Sequence, residues 1–391
     1  MTAQTRYRAI RKIAEGGSAE VYLAEQLGAA GFKRPVVLKR IRAELYADAE
    51  YREMLLDEAR LAMQLHHSNL VEVLDLGEAQ GRYFLVLELV DGWPLLQVMK
   101  RARDLGMPLP PSLAVYIAAE ICRGLAYAHE RSEEGQPLGI VHRDVCPNNV
   151  LLSTHAEVKL IDFGIARART RLARTGLGRT RGKPAWMSPE QAIGDPLDAR
   201  SDLFSVGSLL FALLTDAPPF SAPNDLEVVS LVSKCRFNPE ALARPGIPSQ
   251  LCAIVLKAMS QRRDDRFASA QEMLHALEDL QRTVLPIAGR SDLQNFLRSL
   301  TERDGDTAIT RQQISPSRPS SPHLMMLSGE QTAAFNVGAA RRRVARWVAT
   351  GLAVAGLALA GWWLNGHHLS TSPASIHPTT SSYGPLGEPG R

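Results

Sequence analysis

From Tyr7 to Glu25 apolar and polar residues alternate about the Gly16-Gly17 pair, the pattern of two strands joined by a turn. Arg34–Ile41 predicts a third strand, and Val71–Leu76 and Tyr83–Val90 two more. Between them Met54, Leu55, Leu61 and Leu65 recur at helical spacing, so Tyr51–Leu65 is expected to form an amphipathic helix. After Asp91-Gly92 the pattern turns helical, with Ser112 the expected N-cap of an apolar helix reaching Ala128. A polar turn from Glu130 to Gly139 leads into a loop held between two apolar anchors, Gly139-Ile140-Val141 and Val150-Leu151-Leu152. A strand-like run follows at Val158, Leu160 and Ile161.

Beyond Leu285 apolar residues thin out. Ser291–Glu302 reads as one more short amphipathic helix, and Ile314–Pro322, I-S-P-S-R-P-S-S-P, as a linker unable to bury a core and expected to be disordered. Trp347–Leu364 carries no charge, and at ~1.5 Å per residue it spans roughly 27 Å, close to a bilayer core of about 30 Å. With Arg341, Arg342, Arg343 and Arg346 before it and tryptophans at both ends, it predicts a single span at 344–364, N-terminal side in the cytoplasm. Gly351 and Ala355, and Gly356 and Ala360, have the spacing that lets two such helices pair as a homodimer. Residues 365–391 are too few for a folded sensor domain.

Composition changes this picture little. The 391 residues suffice for one large catalytic domain with additions, and a net charge of +4 gives no case for a nucleic-acid partner. Cys122, Cys146, Cys235 and Cys252 lack metal-ligand or disulfide spacing and suit a reducing compartment. The N-terminus has no signal-peptide h-region.

Chemistry concentrates in Val141–Leu151, V-H-R-D-V-C-P-N-N-V-L, where Asp144 and Asn149 share the anchored loop, and in Asp162-Phe163-Gly164 downstream. Two carboxylates and an amide suit phosphoryl transfer, in which an Asp orients a hydroxyl while an Asn and a second Asp hold magnesium. In this order, H-R-D-x-x-x-x-N followed by D-F-G resembles a eukaryotic-type protein kinase of bacterial, membrane-anchored kind. The resemblance implies an α+β, two-lobed protein-kinase fold: a β-rich small lobe at about 7–90 and a helical large lobe at about 91–282. A juxtamembrane linker would fill 283–340.

Carried over residue by residue, it makes Asp144 the group that positions the nucleophile. Asn149 and Asp162 become the metal-binding pair, for Mg2+ or Mn2+, and Lys39, paired with Glu58, the cation on the phosphates of ATP. Ala14, Gly16, Gly17 and Val21 fall in the phosphate-covering turn, with Ala14 and Ala19 in place of its outer glycines. Leu87 falls at the gatekeeper, and Glu88 to Val90 at the adenine-binding hinge. Ser188-Pro189-Glu190, Asp202 and Arg266 match the segment that shapes the substrate groove, the anchor of the catalytic loop, and the partner of Glu190. The implied activity is transfer from ATP to Ser or Thr of protein substrates at the cytoplasmic membrane. The alternative is a pseudokinase scaffold, prompted by Cys146 where Ser/Thr kinases carry Lys and by Ala14 and Ala19. Lys183 stands where the family has Thr, so Lys183 and Cys146 together read as an exchange that returns a cation to the transferring phosphate. Every charged residue between Phe163 and Pro189 is basic, and Arg-Thr recurs at Thr170, Thr175 and Thr180, candidate autophosphorylation sites.

Overall fold

The computed structural model describes residues 6–302, apart from 17–18, 43–45, 47–48, 80 and 164–183. Its first part is an antiparallel sheet of β1 (Arg6–Glu15), β2 (Ala19–Leu27), β3 (Lys33–Ile41), β4 (Val73–Ala79) and β5 (Arg82–Glu88), in the order β1-β2-β3-β5-β4. Alternation along β3 decides which residue faces where. Val36 and Leu38 go to one face, under Tyr7, Phe84 and Val86, which leaves Val37 and Lys39 on the other. On the opposite face α1 (Ala49–Ala62) buries Ala59 against Val73, Leu76 and Leu85. Tyr7 Oη donates to Asp75 Oδ2 at 3.1 Å, so a buried carboxylate joins β1 to β4, strands at opposite ends of the sheet order.

The chain leaves this lobe through β6 (Gly92–Pro94), which pairs with β9 (Val150–Ser153), itself paired with β10 (Val158–Leu160). Gly92 is required by close approach: a Cβ there would lie 2.0 Å from the Leu152 carbonyl oxygen. Two helices follow β6, α2 (Leu95–Asp104) and α3 (Pro111–His129). The cap expected at Ser112 is not formed. Pro110 is the N-cap residue and Pro111 takes the first helical position, where proline's missing N–H and fixed φ are no handicap, which moves Ser112 inside the helix. Within the polar turn at 130–139 a two-rung hairpin forms from β7 (Ser132–Glu133) and β8 (Gln136–Pro137).

Five further helices complete the large lobe: α4 (Pro189–Ile193), α5 (Ala199–Thr215), α6 (Asp225–Ser233), α7 (Ser249–Ala258) and α8 (Ala270–Thr283). Because α5 is apolar nearly all round, it is the central helix, with Leu203, Phe204, Val206, Leu209 and Leu210 fully buried between α3, α7 and α8. A last helix, α9 (Arg290–Glu302), lies beyond the boundary expected at 282, yet its Leu293, Leu297 and Leu300 join the same core cluster. Among the described residues no helix is long and apolar enough to cross a membrane; the span expected at 344–364 and the linker before it lie outside them.

Candidate active site

The β9–β10 hairpin brings the sequence motifs together. Asn149 immediately precedes β9 and Asp162 follows β10 by two residues, and Ile161 N–H donates to the Asn149 carbonyl at 2.9 Å, closing the root of the hairpin. Asn149 Nδ2 donates to both the backbone oxygen and Oδ2 of Asp144, each at 2.8 Å, which fixes the Asp144 carboxylate and leaves the Asn149 amide oxygen on the other side of the group. Across the cleft Lys39 Nζ pairs with Asp162 Oδ1 at 2.8 Å. Asp162 sits at φ +60°, a left-handed conformation costly for a residue with a Cβ, so the surrounding fold holds it there.

The catalytic loop is suspended from α5. Asp202, wholly buried, accepts from His142 N–H at 2.7 Å and Arg143 N–H at 2.8 Å, and pairs with His129 Nε2 at 2.8 Å. Burial pushes its pKa up, but His129 and the loop donors outweigh this and hold it below the usual aspartate range. These bonds secure Arg143 at φ +66°, and Gln191 of α4 donates to the Arg143 carbonyl at 2.8 Å. Burial drives the His142 imidazole toward its neutral form; its Nε2 lies 3.0 Å from the Ile161 carbonyl, and its ring lies 4.6 Å from that of Phe163. Loop, α5 and the Asp-Phe-Gly segment thus hold one another.

Glu190 and Arg266 form a buried bidentate ion pair, Nη1 donating to Oε1 at 2.7 Å and Nη2 to Oε2 at 2.8 Å, with Ser201 Oγ also donating to Glu190. Both partners expected from sequence are therefore in place; α4 is closed at its N-terminus by a Ser188–Gln191 capping box and joined to the loop by Gln191.

Other site residues divide three ways. Val21 pairs with Lys39 across β2 and β3, Ala14 pairs with Val21, and Gly16 N–H donates to the Ala19 carbonyl, so the expected phosphate-covering turn lies beside the lysine. Leu87 and Glu88 end β5 and Val90 follows, buried. The Glu88 carboxylate takes Lys159 of β10 at 2.6 Å and the Glu72 N–H at 3.0 Å. Glu58 lies on α1, but its side chain, like Gly17 and Lys183, is outside the described residues. No motif points to Lys159, to Gln191 beneath the loop, or to Asn69, which bridges Glu120 and the Val158 carbonyl. Cys146, two residues after Asp144, is buried.

Three comparisons agree with this geometry. Residues 7–314 match the protein kinase domain model. The chain is 43% identical over 296 residues to the tyrosine-protein kinase MasK of Myxococcus xanthus, covering 75% of this chain and 45% of that protein. It is 35% identical over 267 residues to the serine/threonine-protein kinase PknB of Mycobacterium tuberculosis, covering 66% and 40%. It thus spans less than half the length of these relatives. Among solved structures the Mycobacterium tuberculosis PknI kinase domain superposes with a TM-score of 0.55 at 26% identity, over 72% of this chain and 98% of that one. With its lobes, its suspended catalytic loop and its matches all in one register, the chain belongs to the protein kinase family.

Proposed function

We propose that this protein transfers the γ-phosphoryl group of ATP to serine and threonine hydroxyls of proteins. The observation that carries the reading is the convergence of Asp144, Asn149, Asp162 and Lys39 on the root of one hairpin. The donors fit a hard divalent cation: a carboxylate at Asp162 and an amide oxygen at Asn149 are the oxygen ligands that Mg2+, or Mn2+ in its place, prefers. When bound, that ion supplies neutralisation of the phosphate charge. Asp144, oriented by Asn149, accepts the hydrogen bond of the incoming hydroxyl and aims it. Lys39 holds the nucleotide phosphates, the Gly16 turn lies over them, and the backbone from Leu87 to Val90 receives the adenine.

Purified protein incubated with Mg-ATP and a generic protein acceptor tests the reading. Asp144→Asn is expected to abolish transfer while nucleotide still binds, and Asp162→Asn to lose metal-dependent nucleotide binding as well. A wild-type chain inert with every divalent metal would defeat it.

Tyrosine as acceptor is the second reading, favoured by the name of the Myxococcus relative and by Cys146 in place of the lysine usual in Ser/Thr kinases. Phosphoamino-acid analysis of the product separates the two. We further propose autophosphorylation at Thr170, Thr175 or Thr180 with Arg143 as the receiving cation. Its Nε and Nη1 are buried with no hydrogen-bond partner among the described residues, and burial draws its pKa down, a state that an incoming phosphate would relieve. Anchoring by 344–364, with the kinase domain in the cytoplasm, completes the proposal; resistance to carbonate extraction is its check.

A further inference from the structure

The geometry points to Arg290, on the helix beyond the expected end of the domain, as a positioning residue for the metal-binding pair. This rests on the kinase reading above and assigns that site a support from the C-terminal side. Asn149 and Asp162 stand at the root of the β9–β10 hairpin, and the hairpin is short, with three paired rungs, Val150 to Leu160, Leu151 to Lys159 and Leu152 to Val158. Three rungs extend only about 10 Å, so a shift of the tip is carried to the root with little damping.

The tip is tightly made. Ser153 Oγ accepts from His155 N–H at 3.2 Å and Glu157 N–H at 2.9 Å, and Thr154 N–H donates to the Asp91 carbonyl at 2.7 Å. Onto this turn α9 places Arg290, whose Nε donates to the His155 carbonyl at 2.6 Å and whose Nη2 reaches Glu157 Oε1 at 3.2 Å. Arg290 is not a loose surface arm. Leu293, Leu297 and Leu300 seat its helix in the large-lobe core, Gly289 N–H donates to Asp292 Oδ2 at 2.9 Å, and Gln281 Nε2 ties the preceding loop through the Ala288 carbonyl at 3.3 Å. The core therefore sets where Arg290 holds the tip, and the tip joins the Ile161–Asn149 bond at the root in setting how Asn149 and Asp162 stand to each other. Anything that draws α9 away through the chain after Glu302 would loosen the metal pair without touching the cleft.

The test uses the full chain, with Mn2+ titrated in the presence of ADP and free Mn2+ read by electron paramagnetic resonance, alongside amide exchange of 150–160. Since the contact is largely exposed, Arg290→Ala is expected to weaken Mn2+ uptake by about three- to five-fold and to speed exchange across the hairpin. Arg290→Lys, which still reaches the carbonyl, should recover part of both. Lowered thermal stability with unchanged Mn2+ affinity would overturn the positioning role. A wild-type chain that takes up no Mn2+ with ADP would bring down the kinase reading itself, and this inference with it.

Discussion

Asp202→Asn removes one charge and almost no volume, yet it should disable the catalytic loop. The carboxylate is fully buried and engages three groups, the N–H donors of His142 and Arg143 and His129 Nε2. An asparagine offers one oxygen, and its amide N–H2 must face at least one of those groups. A hydrogen bond to a charged acceptor is worth roughly 1.5–3 kcal/mol, and a buried donor left unpaired costs about 1–3 kcal/mol. Oδ2 takes His142 and His129 while Oδ1 takes Arg143 alone, so turning the N–H2 toward Arg143 loses one contact and destabilises by about 1.5–3 kcal/mol, a sizeable part of a usual stability of ~5–15 kcal/mol. At roughly 2–3 °C per kcal/mol, the Tm should fall by about 3–9 °C. Activity should fall separately, because Arg143 keeps its left-handed φ of +66° only while its N–H is held. A displacement of ~1 Å at Asp144 is expected to lower kcat about 100-fold. Calorimetry and steady-state kinetics, the latter well below the variant's Tm, separate the effects. A variant melting within about 2 °C of wild type, or one with unchanged kcat, would refute the suspension of the loop from α5.

Other perturbations have equally definite outcomes. Glu190→Ala strands the fully buried Arg266 guanidinium and should cost about 3–5 kcal/mol in urea unfolding, whereas Glu190→Gln, whose amide oxygen still accepts, should cost less than half of that; equal losses would discount the ion pair. Stability should decline in two stages on acidification. Burial holds His142 below its ordinary 6.5, so below that pH the unfolded chain binds a proton the folded chain refuses. Burial pushes Glu190 up, but its bonds from Arg266 and Ser201 outweigh this and keep it below 4.5, which adds a second loss under that pH. Each group contributes up to about 1.4 kcal/mol per pH unit; a Tm flat from pH 6.5 to 4.5 would contradict the first stage, and one flat below pH 4.5 the second. For the proposed exchange of Cys146 and Lys183, a cation about 4 Å from a unit charge is worth roughly 4 kcal/mol at an effective dielectric of 20. Lys183→Thr alone should be nearly inactive and Cys146→Lys/Lys183→Thr substantially restored; high kcat/KM in the single variant would make Lys183 one more basic residue of its segment.

The parts of the site that lie within a few residues of each other were legible. Asp144 and Asn149 share one loop, and apolar anchors on both sides of it announce that the loop is held. Family order supplied the longer links, Asp202 to the loop and Glu190 to Arg266, which composition and periodicity could not. Contacts without a motif stayed hidden. Lys159 and Glu88 are 71 residues apart and Tyr7 and Asp75 are 68 apart, and in the sequence each reads as an ordinary strand residue. The amphipathic pattern of Ser291–Glu302 foretold α9 but not the surface receiving its leucines, since periodicity gives a helix a face without giving that face a partner. Ser112, a good cap by residue type, does not cap because the two prolines ahead of it take the cap and first helical positions.

The ion pair of Lys39 with Asp162 has a consequence for the order in which ligands arrive. One group is suited to phosphate and the other to metal, and at 2.8 Å each occupies the other. A lone divalent ion would have to compete with Lys39 for Asp162, and a lone nucleotide would have to compete with Asp162 for Lys39. A metal–nucleotide complex satisfies both in one step, exchanging the internal pair for two external ones. The resting cleft therefore acts as a logical conjunction, responding weakly to either component and strongly to the two together, so the affinity for one should rise with the concentration of the other.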